Sequence, residues 1–469
     1  MKRFIFCIFS FLLFFNTIII AQEVVWQKKM LQSSWTTGYS VKQASDGNYI
    51  VCGIYDSFNG FVTKINPKGD TIWFTICPAN LRSIVESIDG YYIAIGWSSI
   101  IKISSSGEIK WFTPITEPLG DLKFNYITKG NDNNFVIAGM LEQANPRIDF
   151  GYVIKIDNNG DKIWSRRYTV NNTYIGLNNI KQLSDGNFIT TGFIDLGGNE
   201  QVLIQKLNSF GEVIWQNNYG SATNEYGYSV FQLPDDCYLT IGTIWYSNQN
   251  IKLYFTKTDT NGNHIWSKIY GSTYPYFTLA SPNCAVEDKN NNNYIITAIN
   301  NISSILLAID QNAEKVWERT YTIDSFQVYG YSVDICNDSG YIVFGDVFRP
   351  PSDLSNPQYL YALKTTKPKP IGIIYTINYI PLSIKLYQNY PNPFNNETLF
   401  KYEITKFTNA NLIIYNILGE KLQTFINKSC SPGFYNFVFN SNNYSTGIYF
   451  VQISDDEGHA DIKKMIIIK

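Results

Sequence analysis

Short apolar runs separated by turn-forming residues fill most of this chain, and they recur at a fixed beat. The stretch ending at Trp215 shows the unit. An apolar run, Ile180 to Leu183, meets the turn Ser184-Asp185-Gly186-Asn187. A second run spans Phe188 to Phe193, a variable loop follows, a third run spans Val202 to Leu207, and after another turn a fourth closes on Val213 to Trp215. Runs of four to eight residues rich in β-branched and aromatic side chains, bounded by Gly, Asn and Asp, predict strands. Each unit therefore supplies four. Equivalent tryptophans stand at Trp26, Trp73, Trp111, Trp164, Trp215, Trp266 and Trp317, with successive spacings of 47, 38, 53, 51, 51 and 51 residues. A period near fifty is the size of one blade of a radial repeat.

The turns repeat as well. The first is Ser45-Asp46-Gly47-Asn48 in one unit and Asn131-Asp132-Asn133-Asn134, Ile88-Asp89-Gly90 or Asn337-Asp338-Ser339-Gly340 in others, residues that supply positive φ and side-chain acceptors for tight hairpins. The second is stricter: Gly69, Gly107, Gly160, Gly211 and Gly262 each precede the unit's tryptophan by four residues, and Ala313 replaces Gly in the next unit. Such a Gly, fixed relative to a large aromatic, fits a hairpin followed by a strand that plugs into the next unit. The last unit has three strands, Gly330 to Ile335, Tyr341 to Gly345 and Tyr359 to Lys364, and no tryptophan strand, whereas Glu23 to Lys28 precedes the first complete unit without partners. Pairing that segment into the last unit seals a ring and covers two sheet edges. The expected fold is all-β: a seven-bladed β-propeller followed by a C-terminal immunoglobulin-like β-sandwich, the latter from about seven short alternating strands between Leu386 and Lys469. The second unit, only 38 residues long, is where that count is weakest.

At the amino end, Lys2 and Arg3 precede an apolar run from Phe4 to Ile20 that stops at Ala21. This reads as a secretory signal, with a transmembrane anchor as the competing interpretation. The expected organisation is a signal peptide over 1–21, a propeller over 22–366, a linker over 367–382 and a sandwich over 383–469, with no membrane span once the signal is removed. Outside the signal lie Cys52, Cys77, Cys237, Cys284, Cys336 and Cys430, with no C-x-x-C pair, so buried small hydrophobes are expected, with an odd disulfide in an oxidising compartment as the alternative. A net charge of -2 favours neither nucleic acid nor a strongly cationic partner.

The acidic or Asn residue, Gly, and Trp four positions on resemble the tryptophan-docking repeats of quinoprotein-like and bacterial surface propellers over Glu23 to Lys369. Enzymes of the quinoprotein type hold a cofactor, calcium and a catalytic acid in the funnel; no position here matches those residues, so no cofactor and no metal are expected. The run Asp157-Asn158-Asn159-Gly160-Asp161 invites a calcium reading but lacks the downstream acidic ligand of an EF-hand loop, and the equivalent turns carry Lys68 or serines. The C-terminal part carries a more specific resemblance. Tyr390-Pro391-Asn392-Pro393-Phe394-Asn395, the segment Tyr415 to Leu422 with Gly419, the strand entry Ser445-Thr446-Gly447-Ile448-Tyr449-Phe450, and the ending Lys463-Lys464-Met465 to Lys469 together resemble the type IX secretion system sorting domain, type A. The resemblance implies passage through the periplasm, recognition by an outer-membrane export machine, and a secreted or cell-surface destination. A hook-assembly sandwich shares the proline motif, and a small carbohydrate-binding or spacer module is the bland alternative.

Two histidines, His264 and His459, one in each part, leave little room for a Ser-His-Asp centre or a His-rich metal site. The 39 acidic residues single out no catalytic pair. Loops leaving the tryptophan strands, and those between second and third strands, hold the ligand-face candidates Trp35, Asp56, Trp97, Arg147, Trp245, Tyr246, Tyr276 and Arg349, aromatic and charged groups that stack on sugars or anchor proteins. The expectation is a non-catalytic surface propeller that recognises polysaccharide or protein. The alternative is a secreted propeller lyase or glycosidase, which requires buried perturbed acids or a Tyr-Arg-Lys group in one funnel pocket.

Overall fold

The computed structural model describes residues 24–469 except 34–35, 145–146, 172, 248–249, 272–276, 280, 301, 324–325, 349–357, 367–383, 405–406, 418, 432 and 457–459. The expected signal segment and linker lie outside the described residues. The chain divides into two compact units, Met1–Pro370 and Ile371–Lys469, and every regular element described is a strand.

In the first unit, five sheets are each made of four consecutive antiparallel strands; the first holds Thr37–Gln43, Tyr49–Ile54, Gly60–Ile65 and Thr71–Cys77. The 38-residue unit forms a complete sheet too, Leu81–Glu86, Tyr92–Gly96, Ser99–Ile103 and Ile109–Pro114; its saving comes from a tight Trp97–Ser98 connection. A sixth sheet carries two short segments, Phe277–Thr278 and Ala285–Asp288, where the others have one innermost strand. In the seventh, Val24–Ser33 pairs antiparallel with Gln358–Thr365, from Val24 opposite Thr365 to Ser33 opposite Gln358. Each sheet packs on the next, and the seventh packs on the first.

Second and third strands are buried on both faces, Tyr49–Ile54 and Gly60–Ile65 almost throughout, because each sheet is covered by a neighbour on either side. The cores therefore lie between sheets: Ile50, Val62 and Cys77 of the first meet Ile84, Ala94 and Ile101 of the second. Cys52, Cys77, Cys284, Cys336 and Cys430 are buried and Cys237 half-buried, all as free thiols.

Two repeat devices hold the sheets together. The turn glycine packs against the tryptophan of the preceding sheet: a Cβ at Gly107 would stand 2.8 Å from Trp73, at Gly160 2.8 Å from Trp111, and at Gly211 2.7 Å from Trp164. The indole then reaches the same turn, Trp73 Nε1 donating to the Ser105 carbonyl at 2.9 Å and Trp215 Nε1 to Thr260 at 3.0 Å. The second device is ionic. In six sheets the residue paired with the tryptophan is a lysine, whose ammonium reaches the aspartate of the first turn: Lys64–Asp46, Lys102–Asp89, Lys155–Asp132, Lys206–Asp185, Lys257–Asp235 and Lys364–Asp338, at 2.6 to 3.1 Å. The lysines are nearly buried, so each carboxylate compensates a charge that burial would otherwise penalise. In the sixth sheet Ala308 stands opposite Trp317, and Asp288 accepts from the Tyr341 hydroxyl at 3.0 Å instead.

The second unit has a three-stranded sheet, Lys385–Leu386, Glu397–Ile404 and Gly433–Asn440, and a four-stranded one ordered Lys421–Cys430, Thr408–Tyr415, Gly447–Ser454, Ala460–Ile467. Strict alternation along Glu397–Ile404 turns Phe400, Tyr402 and Ile404 into a core shared with Leu412, Val451, Met465 and Ile467.

Candidate functional site

The innermost strand of six sheets carries a register shift at the same place, as between Gly38 and Ser40, Leu81 and Ser83, and Gly330 and Ser332. A bulge leaves one residue out of the ladder and re-aims its side chain. Here the bulged residues are Tyr39, Arg82, Asn125, Asn178, Tyr228 and Tyr331. Tyr39 and Tyr331 stack at 5.8 Å. The Arg82 guanidinium lies 4.1 Å from the Tyr39 ring centroid and 6.0 Å from that of Trp97.

These side chains line a cavity of about 380 Å³ between the first, second and seventh sheets, together with Thr37, Asp56, Ser57, Asn80, Asp346 and Phe348. Asp346 is fully buried. Its Oδ1 accepts from the Gly38 amide at 3.1 Å, and its Oδ2 has no hydrogen-bond partner. Burial drives the Asp346 carboxyl well above the usual carboxylate range, although the Gly38 amide draws it back. Asn80, also buried, leaves its Oδ1 without a partner in the same cavity. Asp56 is occupied in its own loop, taking the Phe58 and Asn59 amides at 2.8 and 2.7 Å. Asp56 stays anionic in its loop, Arg82 is the cation of the cavity lining and has no ion pair among the described residues, and Trp97, 47% exposed, forms one wall.

The floor is built by the irregular sixth sheet. Its segment Ser281–Asn283 reaches across the axis: Asn283 Nδ2 donates to the carbonyls of Tyr39 at 3.2 Å and Arg82 at 3.0 Å, Pro282 O accepts from Asn179 and Ser229, and the Val333 amide donates to Asn283 O. One short segment therefore bonds to the first, second, fourth, fifth and seventh sheets and plugs the channel. Beyond it, a second depression of about 660 Å³ is lined by Lys42, Lys181, Phe231, Asp236, Glu287 and Lys289 among others. Behind Lys181 lies Tyr126, whose hydroxyl accepts from the Lys181 ammonium. Burial alone would raise the Tyr126 phenol, but Lys181 and Lys42 outweigh it and the phenol is lowered. Lys42 also donates to Asp334 at 3.2 Å.

Of the ligand-face candidates, the structure brings Asp56 and Trp97 together at the first cavity. Trp245 and Tyr246 lie on the fifth sheet, away from it; Trp245 packs edge-on against Tyr226, and Tyr246 is 46% exposed. Trp35, Tyr276 and Arg349 lie outside the described residues, as does the side chain of Arg147. The sequence reading missed Arg82, Asn80 and Asp346. A signal existed for two of them: Asp346 follows a strand glycine where other units place Ile54, Trp97, Met140 or Phe193, and Arg82 is the one cation among the bulged residues. Asp157 of the suspected calcium loop accepts the amides of Asn159 and Asp161, an Asx turn.

In the second unit the proline motif and the last strand meet. Asn392 Nδ2 donates to the Lys464 carbonyl at 3.1 Å, and the Ile466 amide donates to Asn392 Oδ1 at 2.8 Å. Phe394 exchanges two backbone bonds with the ending, its amide to Ile466 O and its carbonyl from the Ile468 amide. Phe394 is buried, Tyr390 is 83% exposed, and both Pro391 and Pro393 follow cis peptide bonds. The Asn395 carbonyl accepts from Ser441 Oγ. Gly419 takes φ of 80° in the turn whose Asn416 carbonyl accepts its amide, and Gly447 opens the strand beside the last one, opposite Ile467. Lys463 pairs with Asp461 at 2.8 Å while Lys464 is exposed. The motif thus clamps the strand bearing both lysines.

Residues 388–469 match the secretion system C-terminal sorting domain family. No curated protein matches the chain. Among solved structures, it is similar to the extracellular domain of a B. thetaiotaomicron protein (14% identity, TM-score 0.44, covering 92% of this chain and 56% of that one). It is similar also to PorZ, described as a bacterial surface component of the type-IX secretion system of Porphyromonas gingivalis (11%, 0.40, 91% and 58%), and to the Dos1 propeller (10%, 0.45, 74% and 97%). The chain spans less than three fifths of the length of the first two. No helix among the described residues is long and apolar enough to cross a membrane. Residues 388–469 are a type IX secretion system sorting domain carried behind an all-β propeller unit, and the protein is secreted or displayed at the cell surface.

Proposed function

We propose that this protein is an exported recognition module: a seven-bladed propeller over 22–366 that binds a polysaccharide or protein without chemically altering it, delivered by an immunoglobulin-like sorting sandwich over 383–469. The observation that carries the binding role is the cavity of Tyr39, Asn80, Arg82, Trp97 and Asp346, in which the Arg82 guanidinium lies beside aromatic rings with no ion pair among the described residues. Aromatic walls beside such groups suit a ring with hydroxyls. Asp56 and Trp97 belong to this site. The seven sheets, each packed on the next with the amino-terminal strand in the last, support the blade count; two facing sheets of three and four strands support the sandwich. The export machinery is the partner of the second unit, met through the Tyr390–Asn395 motif and the strand it clamps. A glycan array run with a reducing-end assay on the mature protein tests the role: binding without new ends is expected, and new reducing ends refute it.

A second reading rests on Tyr126. A phenol lowered by Lys181 and Lys42 is the kind of group that a polysaccharide lyase uses as a base, and Tyr126 is buried next to the depression that Lys181 and Lys42 line. Under that reading the protein releases unsaturated, ultraviolet-absorbing sugar ends and Tyr126→Phe abolishes the signal; an enzyme-free baseline for the wild type removes it.

A further inference from the structure

We propose that the cavity beside Trp97 selects acidic saccharides, with Arg82 holding the carboxylate of a uronic acid residue. The proposal rests on the recognition reading above and narrows its ligand class.

Arg82 has no acidic partner among the described residues. Its guanidinium is oriented by the Tyr39 face at 4.1 Å and by Trp97 at 6.0 Å, contacts that fix the plane while leaving the N–H fork unspent. A fixed planar fork matches a carboxylate by two parallel hydrogen bonds. The backbone of the same residue is anchored, since the Arg82 carbonyl accepts from Asn283 Nδ2 of the channel plug. Neither acid of the cavity forms an ion pair with Arg82, although Asp56 keeps its negative charge. Asp56 spends its carboxylate on the Phe58 and Asn59 amides and on Asn59 Nδ2 at 2.9 Å, and Asp346 is buried in a setting that favours its neutral form. Trp97, 47% exposed, offers an aromatic surface on which a sugar ring stacks. A cavity of about 380 Å³ closed below by Ser281–Asn283 admits one or two sugar rings at a chain end or side branch.

The test is calorimetry on the mature protein with tetragalacturonate, the same oligosaccharide as its methyl ester, a sulfated tetrasaccharide and a neutral tetrasaccharide. Tetragalacturonate is expected to bind at least about tenfold more tightly than the ester, the scale of one charged hydrogen-bonded pair, and Arg82→Met to abolish that preference while Arg82→Lys restores only part of it. Because the ester comparison needs no variant, a misfolded Arg82→Met leaves the proposal open to refutation. Equal affinity for acid, ester and neutral ligands overturns acid selectivity but leaves saccharide recognition standing. Tighter binding of the sulfated ligand overturns the uronate assignment. Binding of none of the four overturns the proposal and, if a glycan array is also blank, the polysaccharide branch of the recognition reading.

Discussion

Replacing Gly211 by Ala tests the claim that the ring is held by tryptophans docked on the turns of their neighbours. Gly211 sits at φ of 77°, and an added Cβ would stand 2.7 Å from the Trp164 ring. The left-handed conformation costs an L-residue about 1–2 kcal/mol, and a methyl forced against a packed ring about 1–3 kcal/mol more; reduced freedom of the unfolded chain returns about 0.4–1 kcal/mol. The expected loss is about 2–4 kcal/mol. Gly186→Ala is the control, with φ of 82° and no atom within 4 Å of the new Cβ, so it carries the conformational cost alone, about 1 kcal/mol. Guanidinium unfolding followed by tryptophan fluorescence isolates the first unit, because all ten tryptophans precede residue 371. Equal losses for the two variants would refute the docking geometry. The chain contains the reverse case at Ala313, held at φ of 56° and buried. In Ala313→Gly, relief of the backbone is offset by a lost buried methyl of about 0.8 kcal/mol, so its midpoint should stay close to the wild-type value.

Further outcomes follow from charge and clamping. Burial would raise the carboxyls of Asp46, Asp89, Asp132, Asp185, Asp235 and Asp338, but their hydrogen bonds and lysine partners win and hold them below the usual range. A depressed carboxyl contributes stability above its unfolded value, about pH 4, and loses it as pH falls through the folded value; the melting temperature should drop steeply below pH 4, and less steeply in Asp89→Asn/Lys102→Met. Asp346 has the opposite sign. Its folded value is raised, so it penalises the fold only above about pH 4, and Asp346→Asn should raise the melting temperature at pH 7 while leaving it unchanged at pH 3.5; a fall at pH 7 refutes the buried-acid assignment. In the second unit, Asn392→Ala removes two hydrogen bonds to the last strand, about 1–3 kcal/mol, which hydrogen exchange should register as loss of protection at the Ile466 amide together with reduced export to the medium.

Much of this architecture was legible because it is local and repeated. The Asp-Gly turns, the four apolar runs and the tryptophan beat each follow from short-range chemistry, and the orphan segment Glu23 to Lys28 pointed to the sheet in which Val24–Ser33 stands. What escaped were relations between units. The four-residue spacing of glycine and tryptophan within a unit does not express that the glycine touches the tryptophan of the unit before, Gly211 against Trp164. The ion pairs were written as a lysine nine residues ahead of each tryptophan from Trp73 to Trp266, but the aspartate that answers it sits a whole hairpin earlier. Likewise Asn392 and Lys464 belong to one clamp across 72 residues, a distance no motif spacing expresses.

The site itself lies where the repeat departs from its own rules. A position that is apolar in most units carries Asp346 in the seventh, a position that elsewhere holds Tyr or Asn carries Arg82 in the second, and the innermost strand of the sixth gives way to Ser281–Asn283, which closes the channel beneath them. Each departure costs stability on its own: an acid buried neutral, a cation without a carboxylate, a sheet missing one strand's regular ladder. Repeat packing makes such costs bearable, because the sheets on either side contribute their interfaces whether or not one position conforms. The ring supplies rigidity and its exceptions supply chemistry. Returning the exceptions to the repeat, Asp346→Ile with Arg82→Tyr, should therefore leave a more stable molecule that has lost its acidic ligand. A variant that is destabilised and still binds tetragalacturonate would show that the chemistry lies elsewhere on the ring.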